Sequence, residues 1–184
     1  MFADYLRSHV AAVERLSPMR ELIESVGIAL QRRVRSGNKI LLCGNGGSAA
    51  DAQHIAAEFI GRYVKERRAL PAVALSTDTS AITAIGNDYG FDFIFSRQVE
   101  ALAAPGDVLV GISTSGNSIN VINAVKAAKE RSCLTIGMLG RQGGQLNDLC
   151  DQAVIVPSDV TAHIQECHIM IGHYWCSVAD ELFS

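Results

Sequence analysis

The chain has 184 residues, 48% of them hydrophobic and 19% charged, which is typical of a globular domain and argues against disorder. A formal net charge of −3 gives no basic surface for nucleic acid. Five cysteines without a C-x-x-C pair, and the lack of an uncharged apolar stretch of about 18 residues, predict a reduced cytoplasmic protein without a membrane span.

Residues 1–36 are predicted to form a helical N-terminal arm. Apolar residues recur every three or four positions on both sides of Ser17-Pro18, a spacing typical of two amphipathic helices. We expect Ser17-Pro18 to begin the second helix. The arm must bury its apolar stripe, and a partner subunit is a natural candidate. The rest of the chain, 37–184, is predicted to form one globular unit.

From residue 39 onward, apolar runs alternate with helical stretches. The predicted strands are 39–43, 72–76, 107–112, 134–139 and 153–156. The predicted helices are 48–62, 78–86, 93–103, 117–131, 144–149 and about 160–182. Since the strand at 108–112 is apolar at every position, both of its faces should be covered. The fold class is therefore α/β, a five-stranded parallel sheet flanked by helices, with ligands expected beyond the carboxyl ends of the strands.

The segment Ser113-Thr114-Ser115-Gly116-Asn117-Ser118, called here the hydroxyl loop, follows the third strand and begins a helix. Hydroxyl groups and free backbone N–H groups at a helix start can hold a phosphate dianion. A plain capping loop is the alternative, because Ser and Thr are common in such loops. The loop has no Lys or Arg and does not match G-x-x-x-x-G-K-[ST], which excludes a P-loop nucleotide site.

The segment 44–48, called here the glycine turn, follows the first strand. Ser48 is a plausible N-cap of the Ala-rich helix behind it. Gly44, Gly46 and Ala49 fit a G-x-G-x-x-A dinucleotide pattern, but the acidic residue expected about 20 positions later is missing. The turn is better suited to wrapping a ligand directly than to a dinucleotide site.

Two helices carry polar residues that could form a metal or acid–base site. His54 and Glu58 lie four residues apart on one helix face, where the alternative is an exposed pair worth a few tenths of a kcal/mol. Gln165 and His173 are eight residues apart on the final helix, about 80° apart in azimuth and about 12 Å apart along the axis. Either another subunit supplies the second pair, or the long Gln side chain bridges the gap. The four residues together could bind a divalent metal of the zinc type.

Several other polar residues have simpler interpretations. His163 and His168 are expected to be surface or packing residues. The basic clusters at 32–35 and 65–68 are expected on a solvated helix face or loop.

Four motifs in register resemble the phosphoheptose isomerases of the sugar isomerase (SIS) family, and the resemblance covers nearly the whole chain. They are the segments 43–54, 86–90, 111–118 and 164–169. The resemblance implies a flavodoxin-like SIS fold and an aldose–ketose isomerase, an intramolecular oxidoreductase acting on sedoheptulose 7-phosphate to give D-glycero-D-manno-heptose 7-phosphate. It also implies carbohydrate metabolism leading to lipopolysaccharide heptose, a cytoplasmic homotetramer with active sites between subunits, and one zinc per subunit.

The resemblance also assigns roles to individual residues. The phosphate would be held by Ser113, Thr114, Ser115 and Ser118. The sugar would be lined by Asn45, Gly46, Gly47, Glu58, Asn87, Asp88 and Gln165. Zinc would be ligated by His54, Glu58, Gln165 and His173. Isomerisation moves a proton between two carbons through an enediolate, with Glu58 as the base and His173 as the acid.

One residue departs from the family pattern, and two other functions compete with the isomerase. Position 163 is His where the family often has Arg. The rivals are a non-catalytic SIS-fold regulator of the DnaA initiator-associating type and a sugar-phosphate sensor that binds without turnover. The presence of both Glu58 and His173 favours the enzyme.

Overall fold

Five apolar runs pair as parallel strands in the computed structural model, which describes residues 1–184. The strands are β1 (Ile40–Gly44), β2 (Ala72–Ala74), β3 (Val108–Ser113), β4 (Leu134–Gly140) and β5 (Gln152–Val156). Their order in the sheet is β2-β1-β3-β4-β5. The predicted five-stranded parallel sheet is confirmed, in the order typical of flavodoxin-like folds.

Eight α-helices flank this sheet or precede it. They are α1 (Phe2–Glu14), α2 (Arg20–Arg35), α3 (Gly47–Ile60), α4 (Thr79–Asp88), α5 (Ser96–Leu102), α6 (Ile119–Glu130), α7 (Gly144–Leu149) and α8 (Thr161–Phe183). Short 3₁₀ turns lie at Ser17–Met19 and Phe91–Phe93. None of the helices combines the length and the hydropathy that crossing a bilayer requires.

Each face of the sheet is covered by its own group of helices. In β1, Ile40 and Leu42 point toward α1, α2, α3 and α8, whereas Leu41 and Cys43 point toward α5, α6 and α7. Successive side chains of a strand alternate between the two faces, so a strand buried on both sides must be apolar throughout. This alternation is the physical reason why the continuous apolar runs predicted a covered parallel sheet.

The N-terminal arm is anchored to α8 of the same chain. Gly27 in α2 lets the Trp175 ring approach, since a Cβ at Gly27 would lie 3.1 Å from Trp175 Cδ1. Trp175 Nε1 donates a hydrogen bond to Ile23 O at 3.0 Å. The apolar stripe of α2 is therefore covered within the chain. Exposed apolar side chains remain on α1, namely Phe2, Tyr5, Leu6 and Val10.

Two helix starts differ from the sequence-based expectation. Ser48 is not the N-cap of α3, because Gly46 holds that position. Ser48 is only 3% exposed, and its side chain packs against Gly44. Ser17-Pro18 does not begin α2 directly. Met19 N donates a hydrogen bond to Leu16 O at 2.8 Å, which closes a 3₁₀ turn. The α-helix begins after this turn, at Arg20.

The expectation of a solvated basic cluster at 65–68 is wrong for Arg67. Its side chain is 0% exposed and forms an ion pair with Asp180 of α8, itself 3% exposed, with 2.9 Å between Nε and Oδ1. The same guanidinium donates to the backbone carbonyls of Glu58 at 2.7 Å and Phe59 at 2.9 Å. This buried pair therefore joins the C-terminal turn of α3 to α8.

Candidate active site

The glycine turn and the hydroxyl loop lie side by side at the carboxyl edge of the sheet. They follow β1 and β3, which are neighbours at the point where the strand order reverses. Asn45 and Asn120 join the two segments through a reciprocal pair of side-chain amide hydrogen bonds, 2.9 and 2.8 Å long. In open α/β sheets this point is where ligands bind.

The hydroxyl loop is held in shape by its own side chains. Ser113 is 3% exposed, and its Oγ lies 2.9 Å from Ser118 Oγ and accepts a bond from Gly116 N at 3.1 Å. Thr114, Ser115 and Ser118 remain partly exposed. Ser118 is the N-cap residue of α6, and its side chain makes no capping hydrogen bond. The loop thus presents three hydroxyl groups at a helix N-terminus and keeps the fourth, Ser113, inside.

The turn between β4 and α7 supports this loop from behind. Gly116 has a φ of +67°, and a Cβ there would overlap the carbonyl group of Gly143. A Cβ at Gly144 would come within 2.6 Å of Ser115 O. Arg141, from the same turn, lines a small polar cavity together with Ser115. The loop itself carries no cation, and Arg141 is the one cationic side chain that lines this cavity.

Gln165 lies against the glycine turn. A Cβ at Gly47 would overlap the side-chain amide of Gln165, so the glycine leaves room for this side chain at the start of α3. Further along the same two helices, a Cβ at Gly172 would lie 2.5 Å from Ile55 Cδ1. Residue numbers rise along both helices from the first contact, Gly47 with Gln165, to the second, Ile55 with Gly172. Helices α3 and α8 therefore run in the same direction.

His54, Glu58 and His173 converge where α3 and α8 cross further along. His54 Nε2 lies 3.1 Å from His173 Nε2 and 3.3 Å from Glu58 Oε1. One ligand atom from each residue lies within 4.8 Å of the others. Tyr63 stacks on the His173 ring with 5.3 Å between centroids. The side chain of Glu58 is 26% exposed, so this trio opens to solvent.

The trio has the geometry of a cation site. A tetrahedral zinc with bonds of about 2.0–2.1 Å places neighbouring ligand atoms about 3.3 Å apart, close to the observed separations. Two imidazole nitrogens facing each other at 3.1 Å can share one proton or one cation. Three of the four predicted ligands therefore meet within one chain. Gln165 lies with Gly47 at the other end of the helix pair, about 12 Å from His173 along the α8 axis.

Asn87 and Asp88 are the last two residues of α4. The Asn87 side chain makes one hydrogen bond, from its Nδ2 to Asp88 Oδ1 at 2.8 Å. Helix α4 has 10 residues and starts beyond the carboxyl end of β2. Both residues are exposed. Neither side chain makes a hydrogen bond to the glycine turn.

A second polar cluster, unforeseen from the sequence, joins α1 to α8. Glu166 Oε2 lies 2.6 Å from His9 Nδ1 and 2.9 Å from His163 Nδ1, and Glu166 Oε1 accepts a bond from Tyr5 at 2.7 Å. Burial alone would raise the pKa of the Glu166 carboxyl, but these three donors outweigh it and hold that pKa below its ordinary value. His163 is 2% exposed and thus packs inside. The cluster docks the N-terminal helix.

His168 is also a packing residue. It is fully buried, and its Nε2 lies 2.9 Å from Leu139 O. Burial lowers the pKa of its imidazole to about 4, so the ring is neutral near pH 7.

Asn120 and Tyr63 are the residues near the site that sequence reasoning missed. Asn120 stands two positions beyond Ser118, where a polar residue in a predicted first helical turn attracts no notice. Tyr63 follows α3 in an irregular segment. Only their contacts with Asn45 and His173 reveal them.

A family model described as SIS domain matches residues 4–140. A phosphoheptose isomerase of a Nitratiruptor species is 59% identical over 179 residues, which cover 97% of this chain and 96% of the relative. Phosphoheptose isomerase 1 of Campylobacter jejuni is 56% identical over 177 residues, which cover 96% of this chain and 95% of the relative.

Solved structures give the same result. A phosphoheptose isomerase from Neisseria gonorrhoeae superimposes with a TM-score of 0.93 at 48% identity, covering 98% of this chain and 97% of that one. A phosphoheptose isomerase from Francisella tularensis gives a TM-score of 0.94 at 37% identity, covering 98% of this chain and 96% of that one. The similarity extends through the N-terminal arm and α8.

Proposed function

The chain belongs to the phosphoheptose isomerase family of SIS-domain proteins and is an isomerase, and from this premise we propose that it converts sedoheptulose 7-phosphate to D-glycero-D-manno-heptose 7-phosphate. The observation that carries the proposal is the convergence of Glu58 and His173 beside His54, although His54 and His173 lie 119 residues apart in the chain. An acid and a base so placed suit the transfer of a proton between adjacent carbons.

Glu58 acts as the general base in this proposal. Its Oε1 is the carboxylate oxygen close to His54, which leaves Oε2 to take the proton from the sugar carbon. His173 protonates the substrate oxygen through Nδ1 as the enediolate forms, since its Nε2 faces His54 in the trio. The Tyr63 ring stacked on its imidazole fixes the plane of that ring. The proton on Glu58 then returns to the neighbouring carbon, while His173 takes back a proton from the hydroxyl group on the first carbon, whose oxygen becomes the product carbonyl. Both side chains end as they began, and no redox partner is needed.

The hydroxyl loop would hold the phosphate. Thr114, Ser115 and Ser118 offer partly exposed hydroxyl residues at the start of α6, whose dipole favours an anion. Ser113 would act by keeping the loop in shape, because it is buried and its hydroxyl accepts a bond from Gly116 N. Since the phosphate is remote from the reacting carbons, its binding energy can position them.

The donor set at the trio fits zinc, and we propose one ion per subunit. His54, Glu58 and His173 would hold it, with Gln165 as the fourth ligand, either through its long side chain or from another subunit. When bound, such a cation stabilises negative charge on the substrate oxygen as a Lewis acid, worth several kcal/mol. Extended dialysis against a chelator should then lower both the zinc content, measured by plasma mass spectrometry, and the isomerase rate.

A homotetramer with active sites between subunits is also part of the proposal. Gln165 lies against Gly47, away from the trio within one chain, and the exposed apolar residues of α1 offer a surface for a second copy. Active monomers found in a dilution series would contradict it. Cytoplasmic location and a place in lipopolysaccharide heptose synthesis remain predictions from the family.

Replacement of Glu58 by Gln tests the assigned chemistry. Loss of the base should lower kcat by at least about 100-fold, because general-base catalysis contributes about 10²–10⁴-fold. Product formation from sedoheptulose 7-phosphate can be followed by NMR. Glu66→Gln is the matched control, since Glu66 is 88% exposed and lies outside the trio. Near wild-type turnover by Glu58→Gln would eliminate this assignment, and binding without any turnover by the wild type would favour the regulator or sensor.

A further inference from the structure

Asn45 and Asn120 form a closed ring of hydrogen bonds between their side-chain amides. Asn45 Nδ2 donates to Asn120 Oδ1 at 2.9 Å, and Asn120 Nδ2 donates back to Asn45 Oδ1 at 2.8 Å. Asn120 is 3% exposed, whereas Asn45 is partly exposed at the mouth of the glycine turn. One member of the pair is thus hidden and the other faces the site.

The ring uses only half of the hydrogen-bonding capacity of each amide. A primary amide has two N–H donors and two acceptor lone pairs, and the ring occupies one of each. Asn45 therefore retains one N–H and one lone pair for a ligand, in a plane that Asn120 holds. Without Asn120, the Asn45 amide could rotate about its terminal torsion, which is broad for Asn.

No local requirement of helix α6 explains an Asn at position 120. It is the second residue of the helix, the N-cap is Ser118, and Asn has lower helix propensity than Ala. A buried amide must also be hydrogen-bonded to avoid a desolvation cost. Its partner is the side chain of Asn45, which lies in the glycine turn.

We propose that Asn120 is a positioning residue, which orients the Asn45 carboxamide toward the sugar and holds the glycine turn in register with the hydroxyl loop. The inference deepens the proposed function and rests on it, because it takes the ligand to be a sugar phosphate that spans both segments. Asn120 does not touch the sugar. It acts through Asn45, and the phosphate stays with the hydroxyl loop.

A double-mutant cycle tests this dependence. Asn120→Ala should lower kcat/KM for sedoheptulose 7-phosphate about tenfold, the scale of one or two net hydrogen bonds. Asn45→Ala should lower it at least as much. The double variant should match Asn45→Ala within about twofold, because Asn120 has no other route to the sugar. Losses that multiply in the double variant would overturn the proposal.

Asn120→Leu separates hydrogen bonding from packing, since Leu fills a similar volume and offers no amide. It should lose as much activity as Asn120→Ala, and recovery of the wild-type rate in Asn120→Leu would refute the positioning role. Asn123→Ala is the matched control. Asn123 lies on the same helix, and its amide donates to Asp92 O at 3.0 Å, away from the glycine turn. Thermal unfolding verifies that each variant folds.

Binding measurements separate this inference from the proposed reaction. In the Glu58→Gln background, Asn120→Ala should weaken binding of sedoheptulose 7-phosphate about tenfold and change the affinity for inorganic phosphate by less than about twofold. Equal weakening of both ligands would assign Asn120 to the phosphate loop and overturn the inference. Isomerase activity of the wild type tests the proposed function independently.

Discussion

Removing the Asp180 carboxylate should destabilise the fold more than any surface charge change and should also impair the site. Asp180 Oδ1 pairs with Arg67, and Asp180 Oδ2 accepts bonds from the backbone N–H groups of Val64 at 2.6 Å and Lys65 at 2.8 Å. Asp180→Ala would leave a buried guanidinium and two backbone donors without their acceptor. Arg67 also binds the carbonyl of Glu58, so the change reaches the proposed base.

The expected cost follows from burial. Taking one partner out of a buried ion pair costs about 3–5 kcal/mol. A chain of this size loses about 2–4 °C in Tm per kcal/mol, so Asp180→Ala should unfold about 10 °C below the wild type. The assay is thermal unfolding by circular dichroism at fixed protein concentration, with kcat measured below the transition.

The neighbouring residue provides a matched control. Glu181 pairs with Lys65 at 2.6 Å, but the two side chains are 66% and 48% exposed. Exposed pairs contribute about 0–1 kcal/mol, so Glu181→Gln should change Tm by only a few degrees. If Asp180→Ala and Glu181→Gln shift Tm equally, the buried pair does not stabilise the junction of α3 and α8 and the reasoning fails.

The same pair predicts the pH dependence of stability. Burial alone would raise the pKa of Asp180, but the N–H groups of Lys65 and Val64 and the Arg67 guanidinium outweigh it and hold that pKa below its ordinary value. A carboxyl with a lowered folded-state pKa stabilises the fold above the unfolded-state pKa, about 3.9, and this contribution is lost as the pH falls. The stability difference between wild type and Asp180→Asn should stay constant from about pH 5 to 7 and narrow below about pH 4.

Three further changes have defined outcomes. Gly116→Ala should destabilise the protein and weaken the binding of inorganic phosphate, because Gly116 has a φ of +67° and a Cβ there would overlap the carbonyl group of Gly143. An unchanged affinity for phosphate would contradict this. Gly47→Ala should displace the Gln165 side chain and lower kcat/KM with little loss of helix content by circular dichroism, and unchanged kinetics would show that Gln165 is dispensable. All five cysteines are unpaired. Cys176 is buried, which raises the pKa of its thiol to about 12, so a thiol reagent at pH 8 should label Cys176 only on unfolding.

Local patterns predicted the sheet because its strands are buried on both faces. The run at 108–112 is apolar at every position, and only a covered parallel strand requires that. Chain order then placed the glycine turn and the hydroxyl loop at the carboxyl edge, and the strand order β2-β1-β3 made them neighbours. The helix ends were less well predicted. Ser48, a good capping residue by type, is drawn into packing against Gly44.

The site was only partly predictable, because its residues interact across long stretches of chain. The sequence identified His54 and Glu58 as neighbours on one helix face, and His173 as a candidate on another helix. It could not indicate that His54 Nε2 and His173 Nε2 lie 3.1 Å apart, because that distance depends on how α3 and α8 pack. Nor could it show that Arg67 turns inward, since its partner Asp180 lies 113 residues away.

The sequence by itself determined the α/β class, the parallel sheet, the polar segments that follow β1 and β3 and, through four motifs, the family. These features depend on periodicity and local composition, which a linear chain displays directly. Only the tertiary structure decided which polar residues meet. It joined Asn45 to Asn120, grouped His54 with Glu58 and His173, and placed Gln165 at the glycine turn. The physical reason is that such contacts depend on helix packing, which small residues such as Gly47 and Gly172 permit at close range.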